Sequence, residues 1–372
     1  GFGQGVCLAF NAVADPAREW WGTDFNPAHV QHARSLIDAA GVHAHLFDDS
    51  FEQFASRTDL PQFSYIALHG IWSWVSEENR SWIVEFLRRN LAPGGVVYVS
   101  YNAAAGWAAS VPLQQLLSLY ASRAQAPGVP PTQRMQAALD FAQRVFALDP
   151  ALVAQSPGLQ KRLDTLRAQD PVYLTHEYLN ANWHPCSFAE MAASMDAAKL
   201  TYAGSASLLD YVGALQTTDA QRALLREIGD PVLRQTTRDF LIGQAFRRDL
   251  WVRGLPRLGP HGQSVAWRRQ QVVLATTMPK EPIRVKGARA EATLPERVTT
   301  PILGALDQAD APMEIGEIER RVVGPGFSTT QFSDAMVMLL GSGRVEAAAP
   351  EPRLRAAATC SERLNAYVIE RS

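Results

Sequence analysis

Three glycines among the first five residues form the first pattern in the chain with the capacity to hold a ligand. The run reads Gly1-Phe2-Gly3-Gln4-Gly5, and glycine allows a backbone to turn tightly and to approach a ligand closely. The dinucleotide-binding fingerprint requires glycine at the next position, where this chain has Val6. The pattern therefore disfavours a nicotinamide oxidoreductase, while a ligand-free glycine turn remains an alternative.

An acid follows at the end of the next predicted strand. Asp24 closes the short segment Trp20–Asp24, and Phe25 and Asn26 come directly after it. A carboxylate in this position can accept hydrogen bonds from both hydroxyls of a ribose. The alternative is that Asp24 caps a helix, but Asn26-Pro27 already provides a helix start and leaves Asp24 free.

A second acidic group follows the predicted strand Val42–Phe47. The run Asp48-Asp49-Ser50-Phe51 offers a carboxylate that can accept from the amino group of adenine, and an aromatic ring that can cover the base. The alternative is an acidic helix N-cap, worth about 1 kcal/mol, and we expect one of the two aspartates to take that role.

The run Leu68-His69-Gly70-Ile71-Trp72-Ser73-Trp74 follows a further apolar strand, Phe63–Leu68. It is expected at the carboxyl edge of the sheet, where ligands bind in open α/β folds. We expect Leu68, His69, Gly70 and Trp74 to lie near the ligand. Because tryptophans are more often core residues than site residues, packing is the alternative for both tryptophans of this run.

These four groups of residues are expected on the elements of an α/β fold. Helices are predicted from Asn26 to Ala40, where Gly41 stops the helix, and from Ser76 to Leu91. Val96–Ser100 is rich in β-branched residues and predicts another strand. Strands that alternate with helices indicate a parallel sheet with helices on both faces.

The remainder of the chain divides into further regions. Ser187 to Glu190 forms a capping box that opens a helix, and two strands, Leu200–Ser205 and Phe246–Arg253, are predicted to complete the first domain. The predicted domains are 1–110 for the ligand-binding core, 111–184 for a helical insertion, 185–255 for completion of the core, 256–292 for a middle linker and 293–372 for a C-terminal domain.

The order of elements predicted for the C-terminal domain resembles that of a winged helix. Three helices and a strand are predicted, at Arg297–Ala309, Glu314–Val322, Thr329–Leu340 and 343–346. The third helix contains no Lys or Arg and therefore lacks the attraction to phosphate that dominates affinity for DNA. We expect this domain to serve in protein packing or protein recognition.

The composition limits the partners and the location of the protein. The 35 basic and 37 acidic residues give a formal net charge of -2 and form no basic stripe, so no nucleic-acid partner is expected. The 3 cysteines are far apart and match neither a disulfide framework nor a zinc pattern, so we expect no metal and a cytoplasmic location. No apolar run approaches the ~18–20 residues of a membrane span, so no membrane insertion is expected.

The region from Gly1 to Trp107 resembles class I S-adenosylmethionine (SAM)-dependent methyltransferases, in which a G-x-G-x-G turn wraps the methionine part of SAM. Three later runs resemble the methyltransferase regulatory domain: 173–180 (YLTHEYLN), 238–240 (RDF) and 246–254 (FRRDLWVRG). The family includes bacterial protein-lysine methyltransferases that act on outer-membrane proteins. The resemblance implies a Rossmann-like core with SAM as cofactor and S-adenosylhomocysteine as product, a helical region that forms a homodimer, and methyl transfer to lysine side chains.

The resemblance also assigns roles to the candidate residues. The expected cofactor-binding residues are Gly1, Phe2, Gly3, Gln4, Gly5, Asp24, Phe25, Asn26, Asp48, Asp49, Ser50, Phe51, Leu68, His69, Gly70 and Trp74. The candidates beside the methyl group are His69, Tyr101 at the end of a strand, and Glu177 in the helical segment expected to cover the site. For 176–178 the alternative is a packing cluster between this segment and the core.

Three functions remain open at this point, in the order in which the sequence favours them. The first is methyl transfer to a protein, because a small acceptor does not need the long helical and C-terminal additions. The second is methyl transfer to a small molecule, with the helical region as a closed lid. The third is a catalytically silent binding protein that retains the fold, against which the intact glycines and Asp24 argue.

A class I methyltransferase core has a central strand before the glycine turn, and the sequence given starts at Gly1. A central parallel strand pairs on both edges, so its loss would prevent folding. We therefore expect these residues to belong to a longer chain.

Overall fold

The computed structural model describes residues 1–124, 126, 128–156, 158–254, 257–279 and 281–371. The first part of the chain alternates between strands and helices, as the sequence predicts. The strands are β1 (Trp21–Thr23), β2 (His45–Phe47), β3 (Phe63–Leu68) and β4 (Leu91–Asn102), and the helices are α1 (Val6–Ala14), α2 (Pro27–Ala40), α3 (Phe51–Ser56) and α4 (Glu77–Asn90).

The ends of α2 follow from local chemistry. The Asn26 side chain accepts a hydrogen bond of 3.0 Å from the backbone N–H of Ala28, which satisfies one of the free donors of the first turn. Gly41 ends the helix in the left-handed conformation, with φ of 68°, which glycine adopts without steric cost. The predicted bounds of this helix are therefore confirmed.

The strands of the core form two separate sheets in the described part of the chain. β1 and β2 are a parallel pair. β3 and β4 are also parallel, and continue into β6 (Phe246–Val252) and β5 (Thr201–Ser205), in the order β3-β4-β6-β5. The parallel pairing predicted for the strands of the first part is confirmed in β1-β2 and β3-β4. The later strand β6 runs antiparallel to both of its neighbours, and antiparallel strands are common at one side of α/β sheets.

Between the two sheets the contact is made by side chains, with the Trp21 and Phe63 rings edge to face at 6.3 Å. No strand pairing joins β1 to β3 among the described residues. The expectation of a longer chain with a preceding strand stays a prediction.

A helical region follows β4 and has a core of its own. It contains α5 (Ala104–Trp107), α6 (Val111–Arg123), α7 (Pro131–Phe146), α8 (Ala151–Gln155), α9 (Gly158–Arg167) and α10 (Pro171–Tyr178). Leu117, Leu139, Leu163 and Leu174 are fully buried within it, and their burial against one another holds the helices together. The helical character predicted for 111–184 is confirmed.

Four further helices precede β6 or lie beside it. They are α11 (Phe188–Ala197), α12 (Gly213–Gln216), α13 (Asp219–Glu227) and α14 (Pro231–Ile242). The capping box of Ser187 and Glu190 forms as predicted at the start of α11. α11 packs against α14 and against β5, and so helps to cover one face of the four-stranded sheet.

The rest of the chain forms a second α/β unit. Its elements are α15 (Pro260–Arg268), β7 (Gln271–Leu274), β8 (Arg284–Lys286), β9 (Glu291–Thr293), α16 (Glu296–Asp307), β10 (Met313–Glu314), α17 (Ile315–Val322), α18 (Thr329–Gly341) and β11 (Val345–Ala347). The three predicted helices and the following strand are present. β7 lies between β10 and β11 and is antiparallel to both.

The described residues of the predicted linker 256–292 contain α15, β7, β8 and part of β9. Val272 on β7, Val285 on β8 and Ile283 just before β8 are buried in the core of the second unit. The predicted boundary between Leu255 and Pro256 lies outside the described residues.

The last helix, α19 (Glu351–Ile369), was not predicted and leaves the second unit. It packs on α1 and α2, where Leu364 is 2% exposed in the same core as Ala33. Arg353 of this helix lies 3.4 Å from Asp15, just after α1. The predicted unit 293–372 is therefore divided between two parts of the molecule.

A buried charge network joins β4, β6 and α14. Arg247 Nη1 lies 2.5 Å from Asp239 Oδ1, and Arg247 Nε lies 2.9 Å from Asp249 Oδ2. Tyr101 donates a hydrogen bond of 2.7 Å to the same Asp249 oxygen. All four residues are at most 3% exposed, and burial raises the pKa of Asp239 to about 6 against the opposing effect of Arg247. The Arg247 guanidinium offsets the free-energy cost of burying two carboxylates in this interior.

Replacing this guanidinium tests the network. We expect Arg247→Met to lower the free energy of unfolding by about 3–5 kcal/mol, because two buried carboxylates lose their partner. The matched control is Arg248→Met on the neighbouring, exposed position, where a change within about 0.5 kcal/mol is expected. Urea unfolding followed by tryptophan fluorescence measures both, and equal losses in the two variants would contradict the assignment.

Candidate functional site

The first and second halves of the glycine turn serve different purposes. A Cβ on Gly5 would lie 2.3 Å from the Cβ of Ala33, so Gly5 permits the close packing of α1 on α2. A Cβ on Gly3 would meet nothing within 4 Å, although its φ is 58°. Gly3 therefore leaves open space beside the backbone, and this is the part of the turn that a ligand can approach.

Asp24 is 5% exposed and holds this turn in place. Its Oδ2 accepts a hydrogen bond of 2.8 Å from the Gly3 N–H. Its Oδ1 accepts from the Asn26 N–H at 3.1 Å and lies 3.0 Å from Nδ1 of His29. A carboxylate offers roughly four lone-pair positions, so three are engaged and Oδ2 keeps capacity for about one further donor.

The other three candidate groups meet the glycine turn at Gly1. A Cβ built on Gly1 would lie 3.1 Å from Ile71 Cδ1, 3.6 Å from Asp24 Oδ2 and 3.7 Å from Phe51 Cζ. The glycine turn, the acid after β1, the ring after β2 and the loop after β3 thus meet at the carboxyl edge of the strands. Beside them, Phe25 presents a ring that is 75% exposed.

The acidic run after β2 is arranged differently from expectation. Ser50, not an aspartate, caps α3 and forms a capping box with Gln53, so the prediction that Asp48 or Asp49 takes this role is wrong. The side chain of Ser50 is one bond shorter than that of an aspartate, and its hydroxyl accepts from the N–H of Gln53, the third residue of the helix. The Gln53 side chain accepts from the Ser50 N–H in return, so both N–H groups of the capping box are paired. Asp49 instead pairs with Arg57 at 3.1 Å, while Asp48 is exposed.

The loop after β3 is fixed by the hydroxyl of Ser100 on β4. Ser100 Oγ accepts a hydrogen bond of 2.9 Å from the Gly70 N–H and lies 3.3 Å from His69 Nδ1. The same nitrogen of His69 lies 3.2 Å from the hydroxyl of Tyr98. Gly70 has a φ of 65° and open space around its α-carbon, and His69 is exposed.

The other residues of this loop are less available. Leu68 is 7% exposed and Trp72 is 2% exposed, both within the core of the four-stranded sheet, as the packing alternative predicts for Trp72. Trp74 is half-buried. Ser73 accepts a hydrogen bond of 2.8 Å from the N–H of Asn102, which ties the loop to the end of β4.

Tyr101 does not face the open edge. It is 1% exposed, and its hydroxyl donates to Asp249 inside the charge network. Burial, with the charge of Asp249, raises the pKa of the phenol well above its usual value, so the phenol stays protonated. The expectation that Tyr101 lies beside a reacting group is therefore corrected: alternation along β4 turns this side chain inward, where it braces β6.

Glu177 lies on α10 within a cluster of aromatic and cationic side chains. It is half-buried, and burial raises its pKa while Arg162 acts in the opposite direction. Arg162 donates to the Tyr178 hydroxyl at 2.6 Å and lies 5.2 Å from the Trp107 ring. The packing alternative describes Tyr178 well, since it is 1% exposed; for Glu177, which is half-buried, both readings stay open.

The three residues expected beside the methyl group are therefore not one cluster. His69 contacts Tyr98 and Ser100, and Tyr101 lies in the charge network. Within the described ranges, no hydrogen bond or ion pair joins Glu177 to His69.

Sequence reasoning missed the residues that position the candidates. His29, which contacts Asp24, lies one helical turn into α2, a position where a histidine is usually a surface residue. The sequence predicts Ser100 only as part of the strand Val96–Ser100. Its distance of 30 residues from Gly70 gives no local signal of their contact.

Two further findings bear on the class of site. Among the residues that the structure describes, no group of three His, Cys, Asp or Glu side chains is arranged to hold a metal ion. None of the described helices combines the length and apolar character needed to cross a membrane.

Comparison with known proteins gives related sequences over most of the chain. Residues 170–253 match the family model of a predicted methyltransferase regulatory domain. An uncharacterized protein of Synechocystis sp. is 36% identical over 350 residues, which cover 94% of this chain and 68% of that protein. An uncharacterized protein of Rickettsia prowazekii is 24% identical over 259 residues, which cover 67% of this chain and 44% of that protein.

The fold also matches solved structures. The structure of PKMT2 from Rickettsia typhi aligns with a TM-score of 0.70 at 19% identity, covering 94% of this chain and 70% of PKMT2. Its complex with AdoHcy aligns with the same TM-score at 20% identity. Together with the glycine turn and the strand order, these matches identify a class I methyltransferase fold. The chain belongs to the same family as the Synechocystis protein, and its residues 170–253 match the methyltransferase regulatory domain.

Proposed function

We propose that the protein is a SAM-dependent methyltransferase that modifies lysine side chains of proteins. The observation that carries the proposal is the convergence of the open glycine turn, Asp24, Phe51 and the loop of Ile71 at one edge of the fold. Support comes from the family to which the chain belongs and from the AdoHcy complex of PKMT2, a protein lysine methyltransferase.

The residues at this edge fit an adenosine-containing cofactor. Gly3 and Gly70 leave space beside the backbone, and Asp24 Oδ2 has capacity for about one hydroxyl donor. This is one hydroxyl fewer than the sequence suggests, because His29 and two backbone N–H groups occupy the other positions. The rings of Phe51 and of the exposed Phe25 can cover the adenine base. The exposed carboxylate of Asp48 can accept a hydrogen bond from the adenine amino group.

When bound, SAM supplies an electrophilic methyl group on a sulfonium. The task of the chain is to align an acceptor nitrogen with that group and to keep water out. A lysine must be neutral to attack, and burial near aromatic rings lowers the pKa of an amine. The cluster of Trp107, Tyr178 and Glu177 offers such surroundings, and the raised pKa of Glu177 suits it to accept the proton.

A protein acceptor suits this site better than a small one. Phe25, His69 and Gly70 are all exposed, so the edge is open, whereas an enclosed pocket would favour a small molecule. The second α/β unit adds surface; we propose that it is a winged-helix-like domain used in protein recognition. α18 already packs against the chain itself, since a Cβ on Gly341 would lie 2.7 Å from the Leu209 side chain. Homodimerisation and a cytoplasmic location remain predictions.

Replacing Asp24 tests the cofactor site. We expect Asp24→Asn to weaken SAM binding by roughly 10–100-fold, because hydrogen bonds to a charged acceptor are worth about 1.5–3 kcal/mol. The matched control is Asp38→Asn, the same change at an exposed position of α2, which should leave the affinity unchanged. Isothermal titration of both variants with SAM and S-adenosylhomocysteine makes the measurement, and undiminished binding by Asp24→Asn contradicts the assignment.

Replacing Glu177 tests the proton acceptor. We expect Glu177→Gln to lower turnover by about 10²–10⁴-fold, the usual contribution of a positioned general base, with SAM affinity unchanged. Glu227→Gln, at an exposed position of α13, is the control and should keep full turnover. Parallel loss of SAM affinity and turnover in Glu177→Gln would instead indicate a role in folding or cofactor binding.

The acceptor is identified with methyl-labelled SAM and extract of the native cells. We expect label in a discrete protein band, and loss of that label when the lysines of the extract are first acetylated. Label that survives acetylation would exclude lysine as the acceptor. Label only among small molecules would favour the closed-lid alternative. Absence of label despite measured SAM binding would favour the silent binding protein.

A further inference from the structure

A cavity of about 320 Å³ lies within the helical region, between α6, α7 and α10. It is separate from the residues that converge at Gly1. Its polar lining consists of Ser118, Ser122, Arg134, Thr175, His176 and Asn180. None of the side chains that line it is acidic, so every group able to carry a charge in this cavity is basic.

Arg134 is the cation of the cavity, and it lacks a counter-charge. Its Nε is buried and has no hydrogen-bond partner. No ion pair involves Arg134 among the described residues, although neighbouring Asp140 on the same helix pairs with Arg167 at 3.5 Å. A buried guanidinium nitrogen without an acceptor is costly to the folded protein. The cost is removed when an oxygen acceptor enters the cavity.

The start of α7 adds a second attraction for negative charge. Pro131, which begins this helix of 16 residues, lines the cavity. The N-cap residue Pro130 provides no side-chain cap, and the N–H groups of Thr132 and Gln133 have no acceptor within the described part of the chain. Free N–H groups at the positive end of a helix dipole favour an anion.

From the cavity, its unpaired guanidinium and the uncapped helix, we infer that this site binds the oxyanion group of a small molecule. Phosphate and carboxylate groups share the required chemistry, since both offer several acceptor oxygens to an arginine. The volume exceeds that of a single anion, so the site has room for part of the molecule that carries the group. The hydroxyls of Ser118 and Thr175 and the imidazole of His176 are placed to contact it.

Calorimetric titration of the native protein with inorganic phosphate and, separately, with glutarate at constant ionic strength tests the inference. We expect saturable binding of at least one probe, and the preferred probe distinguishes a phosphate ligand from a carboxylate ligand. Arg134→Gln should weaken this binding at least about tenfold. Arg144→Gln removes the same charge at an exposed position near the other end of α7 and should leave the affinity within about twofold.

A second variant keeps the charge and fills the space. Ser118→Leu should abolish binding while Arg134 remains, and unchanged helical circular dichroism would show that the region is folded. Absence of saturable binding of both probes, or equal losses in Arg134→Gln and Arg144→Gln, would overturn the inference. SAM titration of Arg134→Gln separates this site from the proposed methyltransferase function, because its SAM affinity should be unchanged.

Discussion

The buried guanidinium of Arg247 is the interaction on which the rest of the core depends. It lies among Asp239, Asp249 and the hydroxyl of Tyr101, which itself donates to Asp249. A cation taken out of water needs such partners, and each carboxylate equally needs the cation. Because these residues belong to β4, β6 and α14, the network allows one arrangement of the three elements and penalises others.

The position of β6 also determines where the helical region packs against the four-stranded sheet. The chain leaves β4 through α5, where Trp107 Nε1 donates to the carbonyl of Ala245 at 3.0 Å, just before β6 begins. A Cβ on Gly106 would lie 2.5 Å from the backbone of Ala245, so the two segments meet without an intervening side chain. The aromatic cluster around Glu177 is thereby attached to the strand that Arg247 holds.

The sequence was informative wherever the cause of a structure is local. The capping box of Ser187 and Glu190 spans three residues, and Gly41 ends α2 by its own conformation; both were predictable. Tyr101 and Asp249 are 148 residues apart in the sequence, and no pattern in either segment predicts their contact. The inward orientation of Tyr101 therefore could not be predicted, and neither could the strand β7, whose partners β10 and β11 lie in later segments.

The packing of α19 on α1 and α2 brings the two ends of the described chain together, so this contact can form only after α19 has been synthesised. The helix pair beside the glycine turn emerges from the ribosome before α19, because Leu364 of its core follows about 320 residues after α2. At roughly 5–20 residues per second, translation of that interval takes about 15–65 s. During this period the apolar face of α1 and α2 that packs on α19 lacks its cover.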